Sequence, residues 1–241
     1  MTKKTLCVLL VAVFLMLIGT VLFLFPFFTQ STDITPTIYE IHSPLQQIEI
    51  DFNKTNLTVC SDEKTYIEII GYRENEYYVS EEDGKLLLTD RFEKSPILFK
   101  LIGIGRYFQE RKQTSEPPKI VLHLSTTDSQ TPVNLILKNS TLSLAARIDY
   151  LTLNADNSNI LVDHMEFDRF NGKLTNCDSS FSLAYSDQDF SRDIETHATK
   201  LSINGDERAN TEQYIADFHK PYFKLEAQGG SCRLSYSDQT P

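Results

Sequence analysis

One short pattern recurs six times along the chain and restricts most of it to β structure. In each copy a small turn-forming residue is preceded by an apolar residue five positions earlier and followed by apolar residues two and four positions later. The six central residues are Thr55, Gly84, Ser140, Ser158, Ser179 and Gly230. Apolar residues at alternate positions on both sides of a turn are typical of half-buried strands. The pattern therefore predicts a series of strands joined by tight turns.

The copy around Ser140 shows the predicted geometry. A two-residue hairpin turn at this point would place Leu137 opposite Leu142 and Leu135 opposite Leu144, with all four on one face. The side chains between them are mostly polar and would face the other way. We therefore expect each pattern to be an antiparallel hairpin with one apolar and one polar face.

The spacing between copies indicates how the hairpins are arranged. The centres Ser140, Ser158 and Ser179 are 18 and 21 residues apart, which is close to the length of one unit that stacks on its neighbours. The chain is predicted to be all-β, a stacked hairpin β-roll or solenoid-like domain. An antiparallel β-sandwich with regular hairpins is the alternative, because hairpin spacing alone does not distinguish sequential stacking from a Greek-key return.

The N-terminal segment has a different character. Residues 6–28 include 20 apolar residues and no charged one, and as a helix they would span roughly 34 Å, enough to cross a bilayer. The run is longer than the apolar core of a cleaved signal peptide, which favours a permanent anchor. Lys3 and Lys4 precede it and no basic residue follows until Lys54, so residues 1–5 are expected in the cytoplasm. Residues 29–38 would be a linker, and residues 39–241 an extracytoplasmic β domain.

Overall charge limits the class of partner. The chain carries 23 Lys and Arg against 33 Asp and Glu, a formal net charge of −10. Nucleic-acid binding depends on neutralising phosphates with basic side chains. The composition therefore argues against nucleic acid as a partner.

An insertion at residues 91–118 interrupts the series of turns. Ser95 and Pro96 form a helix start, and an apolar stripe follows with helical spacing up to about Lys112. Such a helix would either cap an open end of the β stack or contact a membrane or a partner protein, and a disordered loop is the third alternative for this segment. The residues predicted for that contact are Phe99, Lys100, Arg106, Tyr107, Phe108, Arg111 and Lys112.

Motifs for catalysis or for a cofactor are absent from the sequence. No two of the five His have the spacing of a metal pair, and there is no nucleophile elbow, P-loop or dinucleotide-binding motif. Asp187, Asp189 and Asp193 could offer oxygen ligands to Ca²⁺, but a solvated loop fits their spacing better. Cys60, Cys177 and Cys232 are predicted to be free thiols, with Cys232 facing inward and Cys177 outward. We expect no enzyme activity, no metal and no cofactor.

Four segments of the sequence resemble those of a known family. The segments are LILKNSTLSL, LTLNADNSNILV and LTNCDSSFSL, together with IEIDFNKTNLTV behind a single membrane helix. The family that they resemble is the bacterial putative adhesin family, a cell-envelope domain of unknown function. The resemblance runs from about Tyr39 to Tyr236. It implies an elongated β structure at a bacterial surface, sometimes linked with envelope-stress systems, and no catalytic residue. The chain differs from the family in having only nine Gly, with Ser and Asn at its turns, and in carrying the insertion.

These observations predict a membrane-anchored cell-surface domain that acts as a non-catalytic binding or scaffold module. Its polar strand faces would contact a surface glycan or protein, and residues 6–28 would contact the membrane. A second hypothesis is an accessory or sensor subunit of an envelope-stress membrane complex, with a membrane protein as partner. A third is an envelope glycan hydrolase that uses two surface carboxylates.

Overall fold

The computed structural model describes residue 16 and residues 36–72, 76–90, 118–208, 210–214 and 219–237. From residue 36 onward these residues form strands and one 3-10 turn, Thr126–Asp128, with no α-helix among them. The predicted all-β class is confirmed. The strands are β1 (Thr37–Glu40), β2 (Gln47–Asn53), β3 (Asn56–Asp62), β4 (Tyr66–Ile70), β5 (Tyr77–Glu82), β6 (Lys85–Asp90), β7 (Lys119–Ser125), β8 (Val133–Lys138), β9 (Thr141–Ala145), β10 (Tyr150–Asp156), β11 (Asn159–Met165), β12 (Arg169–Ser186), β13 (Ser191–His197), β14 (Lys200–Ile203), β15 (Asp206–Glu207), β16 (Thr211–Tyr214) and β17 (Tyr222–Ser237).

The strands form two parallel ladders that share their two longest members. The first ladder has the order β6, β2, β8, β10, β12, β17, β13. The second has the order β7, β3, β9, β11, β12, β17, β14. The first halves of β12 and β17 belong to the first ladder and their second halves to the second. These two strands therefore join both ladders into one hydrogen-bonded sheet of 17 strands.

Strands on either side of the same turn do not pair with each other in most copies of the pattern. Leu137 lies opposite Phe52 and Ala155, and Leu142 lies opposite Leu57 and Ile160. The predicted hairpin at Ser140 is therefore wrong, as are those at Thr55, Ser158, Ser179 and Gly230. The physical reason is that a strand has two hydrogen-bonding edges, and both edges of β8 and β9 are occupied by parallel neighbours.

Parallel pairing also rules out the antiparallel β-sandwich. Of the 16 pairings between described strands, 11 are parallel. The antiparallel pairings lie at the ends of the ladders, where β5, β4 and β1 cover one end and β16 and β15 cover the other. These strands pair with edges that would otherwise be open.

Two antiparallel hairpins occur in the described part of the chain. The predicted hairpin at Asp83-Gly84 is confirmed, because β5 and β6 pair from Glu82 and Lys85 outward. A second, between β14 and β15, turns at Asn204-Gly205 and was not predicted. In both turns the two central residues have positive φ, as a type I′ turn requires.

The prediction that the apolar residues of the pattern face the core is confirmed. Of the 18 apolar residues in the six copies, 17 are buried, and Val79 is partly buried. Side chains alternate between the two faces along any strand. The set of inward-facing residues is therefore the same whether a strand pairs with the strand across its own turn or with a strand from elsewhere in the chain. The 17 are Ile50, Leu57, Val59, Leu86, Leu88, Leu135, Leu142, Leu144, Leu153, Ile160, Val162, Leu174, Phe181, Leu183, Leu225, Cys232 and Leu234.

Three predicted segments fall largely outside the described residues. These are the membrane helix at residues 6–28 apart from Met16, the linker up to residue 35, and residues 91–117 of the insertion. In the portions of the chain that the structure describes, no helix has the length and apolar character needed to span a bilayer.

Candidate functional site

The predicted contact residues of the insertion, Phe99, Lys100, Arg106, Tyr107, Phe108, Arg111 and Lys112, all lie outside the described residues. Their role in membrane or partner contact stays a prediction. The described part of the chain offers three other features: a polar column at the bend between the ladders, two outer faces of different character, and a cluster around His123.

Small polar side chains stack at the bend between the two ladders. Ser140 Oγ accepts the N–H of Thr55 at 3.1 Å and donates to Lys138 O at 2.7 Å. Ser158 Oγ repeats the arrangement, accepting from Ser140 N at 3.1 Å and donating to Asp156 O at 2.8 Å. Each hydroxyl thus accepts a hydrogen bond from a backbone N–H at the neighbouring bend. This hydrogen bond is needed because these backbone groups are buried. We call Thr55, Ser140, Ser158, Cys177 and Thr199 the corner column.

Two predictions made for the fifth copy of the pattern, the one around Ser179, are wrong. Ser158 is level with Cys177, since Ile160 lies opposite Ser179, so the bend falls two residues earlier than predicted. Asn176 has a φ of +51°, and Cys177 is buried with its Sγ donating to Thr175 O at 3.2 Å. The prediction that Cys177 faces outward is therefore wrong. The two positions differ by a full strand period, so the apolar pattern alone could not separate them.

The outer face of the first ladder carries charged side chains on most of its strands, with the uncharged residues Asn134, Thr152, Asn154 and Asn171 between them. Lys85 and Glu49 form an ion pair at 2.7 Å across neighbouring strands, and Lys224 and Glu226 form another at 2.9 Å. Acidic and basic residues are mixed along this face, so opposite charges lie close together. The charged residues at its outward positions are Glu49, Asp51, Lys85, Lys138, Asp156, Arg169, Lys173, Asp193, Glu195, Lys224 and Glu226.

The outer face of the second ladder has a central region without charge. Two rows of side chains in register across β3, β9 and β11 contain only hydroxyl, amide and aliphatic groups, and one of the two rows continues without charge to Ser180 on β12. We call these residues the neutral strip; they are Asn56, Thr58, Thr141, Ser143, Asn159, Leu161 and Ser180. Leu161 is 51% exposed and lies between polar neighbours. Asp178 and Arg233 bound the strip where charge begins again.

A cluster of reactive side chains lies at the other end of the same face. His123 Nδ1 lies 2.9 Å from Asp62 Oδ2 and 3.6 Å from Cys60 Sγ. The ring stacks on Tyr66 with centroids 4.0 Å apart, and Tyr66 OH donates to Asp62 Oδ2 at 3.2 Å. On the other side of the ring, Nε2 is buried, has no hydrogen-bond partner, and lies 3.9 Å from Glu68 Oε2. The strands β3, β4 and β7 supply all five residues.

The surroundings of Cys60 disfavour its thiolate form. Burial raises the pKa of the Cys60 thiol, and the carboxylates of Asp62 and Glu68 raise it further. The pKa of Asp62 is lowered, first by the backbone N–H of Glu63 and then by the His123 side chain. A catalytic thiol needs a lowered pKa and a base that a third group orients through its other ring nitrogen. Here Cys60 and Asp62 lie at the same nitrogen of His123, so this geometry does not support nucleophilic catalysis.

Sequence reasoning missed this cluster because its parts come from separate segments. Cys60 and Asp62 alternate along β3, which places both on the outer face, and this could be read from the sequence. His123 joins them because Cys60 and His123 are partners in the β3–β7 pairing. That pairing bridges the insertion, and no local pattern specifies it.

The three carboxylates considered for Ca²⁺ are held by different protein groups. Asp187 Oδ1 accepts from Arg192 Nη1 at 2.9 Å, Asp189 hydrogen-bonds with Ser186, and Asp193 Oδ2 accepts from Tyr222 OH at 3.3 Å. Arg192 is itself buried, pairs with Glu212 at 3.1 Å, and lies over the ring of Tyr214. Asp187 therefore belongs to a structural ion-pair group at the end of the ladders.

Comparison with known proteins gives a likeness of fold. A solved structure described as a putative cell adhesion protein from Clostridium sporogenes matches 84% of this chain and 99% of its own, with a TM-score of 0.51 and 14% sequence identity. A putative adhesin from Bacteroides fragilis matches 86% of this chain and 98% of its own, with a TM-score of 0.29 and 9% identity. A putative lipid binding protein from Parabacteroides distasonis has a TM-score of 0.23, at 8% identity over 85% of this chain and 98% of its own.

No family model matches the sequence, and no curated protein matches it. The two weaker structural likenesses fall below the level at which a fold can be compared. The similarity to the clostridial protein covers nearly all of that chain at low identity. It shows that the two proteins share a β architecture, and it extends to the fold alone.

Proposed function

We propose that this protein is a non-catalytic binding or scaffold module that presents a solenoid-like β stack at a cell surface. Residues 6–28 would anchor it in the cell membrane, with the β domain outside. The adhesion-related name of the clostridial protein supports this proposal, as does the resemblance of the turn segments to an envelope family. The proposal assigns the binding role to an outer face of the stack.

The observation that carries the proposal is the neutral strip on the outer face of the second ladder. Parallel strands lie about 4.8 Å apart, so the neutral strip repeats hydroxyl and amide groups at that interval. Such groups can bind a neutral polar surface without the cost of desolvating a charge. The outer face of the first ladder carries ion pairs that would lose solvation on contact. The neutral strip is therefore the surface we assign to a surface glycan or an uncharged protein patch.

A photo-crosslinking amino acid in the full chain tests this assignment in intact cells. Ser143 lies in the neutral strip, and Glu226 is a half-exposed position among charged residues on the outer face of the first ladder. We expect the probe at Ser143 to capture envelope glycan or protein, and the probe at Glu226 to capture much less. Leu142, which is buried, sets the background. Capture at Ser143 no greater than at Leu142 would refute the assignment.

The same experiment addresses the alternative of an accessory or sensor subunit. Probes at Phe99 and Phe108 would report on the insertion, where that hypothesis places contact with a membrane protein. Capture of one integral membrane protein from those positions, with none from Ser143, would favour the subunit. The hydrolase hypothesis stays a prediction, and no described pair of carboxylates is assigned to it.

A further inference from the structure

The middle of the first ladder presents an outer surface without acidic side chains. Strands β8, β10 and β12 lie side by side there in parallel register. Across the first three rows of outward side chains, none of the three strands contributes an Asp or a Glu. We call the amide, hydroxyl and basic residues of these rows the basic patch; they are Asn134, Thr152, Asn154, Arg169, Asn171 and Lys173.

The two bases of the patch are exposed and unpaired. Among the described residues, neither Arg169 nor Lys173 forms an ion pair, and Asp168, which precedes Arg169 in the chain, forms none with it. Arg147, by contrast, pairs with Asp149 at 2.8 Å. The patch therefore carries two available positive charges in a chain whose formal net charge is −10. Such a local positive field concentrates anionic ligands at this surface.

Acidic side chains border the patch, and other groups hold them. Glu226, opposite Lys173 on β17, is paired with Lys224 at 2.9 Å. Asp156 lies opposite Lys138 in the fourth row. The acidic residues of β2 are three strand spacings from β12, about 14 Å, which exceeds the Debye length of about 8 Å at physiological salt. The charge of the patch is therefore not cancelled by its surroundings.

The arrangement of donors suits a chain of acidic sugars. Arg169 and Lys173 are four positions apart on one strand, so their Cα atoms are separated by about 13 Å. A guanidinium can bind a carboxylate through two parallel hydrogen bonds. Asn171 lies between the two bases, and its amide can exchange hydrogen bonds with sugar hydroxyls. We propose that the basic patch binds an acidic glycan along β12, with sugar carboxylates at Arg169 and at Lys173.

Two tyrosines flank Arg169 in the first row. Tyr150 lies opposite Arg169 on β10 and is 47% exposed, and Tyr222 lies opposite it on β17 and is partly buried. Burial raises the pKa of the Tyr222 hydroxyl and Asp193 raises it further, while the charges of Lys224 and Arg169 oppose this. An exposed aromatic ring beside a cation offers an apolar surface for a sugar ring whose carboxylate binds the cation.

The same composition disfavours a phosphate polymer. Such a polymer carries a charge on every unit and is bound through many basic side chains. The patch has two bases, with uncharged amide and hydroxyl groups between and beside them. The patch and the neutral strip also lie on different outer faces, so this proposal does not depend on the function proposed above.

Retention of the full chain, in detergent, on immobilised polysaccharides tests the proposal. Alginate, polygalacturonate and hyaluronate all carry sugar carboxylates, and dextran is the neutral support. We expect retention on at least one of the three acidic supports, weakened by rising salt, and none on dextran. Retention on none of the acidic supports, or equal retention on dextran, would overturn the proposal.

Variants of the full chain locate the binding surface. Arg169→Gln removes a base, and Asn171→Asp places a carboxylate between the two bases, so each should weaken binding roughly tenfold or more. Lys200→Gln and Asn159→Asp make the same changes of charge at exposed positions on the outer face of the second ladder. These two controls should bind like the wild type.

Three results would contradict the site. Unchanged binding of Arg169→Gln and Asn171→Asp would place the glycan elsewhere on the chain. An equal loss in Asn159→Asp would mean that overall charge controls binding. Displacement by inorganic polyphosphate as readily as by the free acidic oligosaccharide would mean that any polyanion binds. None of these results bears on capture at Ser143, which tests the neutral strip.

Discussion

Two turns of the molecule look alike in sequence and in backbone, yet they connect strands in different ways. Asp83-Gly84 and Gly229-Gly230 both follow the recurrent pattern, and all four residues have positive φ. At the first turn, β5 and β6 pair with each other as a hairpin. At the second turn, the two halves of β17 separate into the two ladders.

The difference teaches that neighbouring strands, and not the turn alone, decide the pairing. β5 has no partner except β6 among the described strands, so their hairpin supplies its hydrogen bonds. Each half of β17 has a parallel partner on both edges, namely β12 and either β13 or β14. Parallel pairing with strands from elsewhere in the chain therefore replaces the hairpin wherever such neighbours fill both edges. The surroundings of the two turns should then respond differently to mutation.

Gly230→Ala should have the largest effect. A Cβ at this position would lie 2.0 Å from the carbonyl oxygen of Cys177 on the neighbouring strand β12, and that backbone atom cannot rotate away. Overpacking together with left-handed strain should lower the free energy of unfolding by about 4 kcal/mol. Urea unfolding of the full chain in detergent, followed by circular dichroism, measures the loss. A loss below about 1 kcal/mol would mean that β12 and β17 are not in close contact at this corner.

Ser158→Ala should come second. The Ser158 hydroxyl accepts the buried N–H of Ser140, which would be left without a partner. We expect a loss of about 2 kcal/mol in the same unfolding assay. Ser143→Ala, on the outer face of β9, is the control and should change stability little. Equal stability of the Ser158 and Ser143 variants would contradict a supporting role for the corner column.

Gly84→Ala should have a smaller effect, which separates the hairpin from the corner. The added Cβ would lie 3.0 Å from Gln46 Cγ, part of a flexible side chain that can move. Strain from the positive φ remains, so we expect a loss of about 1 kcal/mol in urea unfolding. If Gly84→Ala were as destabilising as Gly230→Ala, the proposed contrast between the two turns would be wrong.

Asn157→Gly should have the smallest effect. Asn157 has a φ of +48°, which glycine adopts without steric cost, while the unfolded chain gains freedom. The two contributions oppose each other, and stability should stay within about 0.5 kcal/mol of the wild type. Asn157→Val is the contrasting variant, because a β-branched side chain is poorly tolerated at positive φ. Similar unfolding midpoints for the two variants would show that this corner does not require a left-handed residue.

Sequence patterns predicted the β class and the inward face because both follow from local alternation. Leu135, Leu142 and Leu144 are buried as expected, although none of them pairs as expected. The pairing of each strand depends on which other strand lies beside it in space. The insertion of β17 between β12 and β13 illustrates the limit, since the last strand in sequence occupies a position that the order of the turns does not specify.

The candidate sites were predicted less well for the same reason. The polar character of the outer faces could be read from alternation, but the neutral strip emerges only when Thr58, Ser143 and Leu161 are placed in one row. The His123 cluster needs a contact across 63 positions of sequence. The insertion was found from its helix start and its apolar stripe, and its contact role stays a prediction.

Disulfide trapping tests the central claim, parallel pairing between strands that belong to different turns, most directly. In this pairing, Ser143 of β9 lies opposite Leu161 of β11, and both face outward. A hairpin at Ser140 would instead bring Ser143 opposite Ile136. In the full chain, the pair Ser143→Cys and Leu161→Cys should form a disulfide under mild oxidation, identified by mass spectrometry, and the pair Ile136→Cys and Ser143→Cys should not. A bond in the second pair and none in the first would contradict the account.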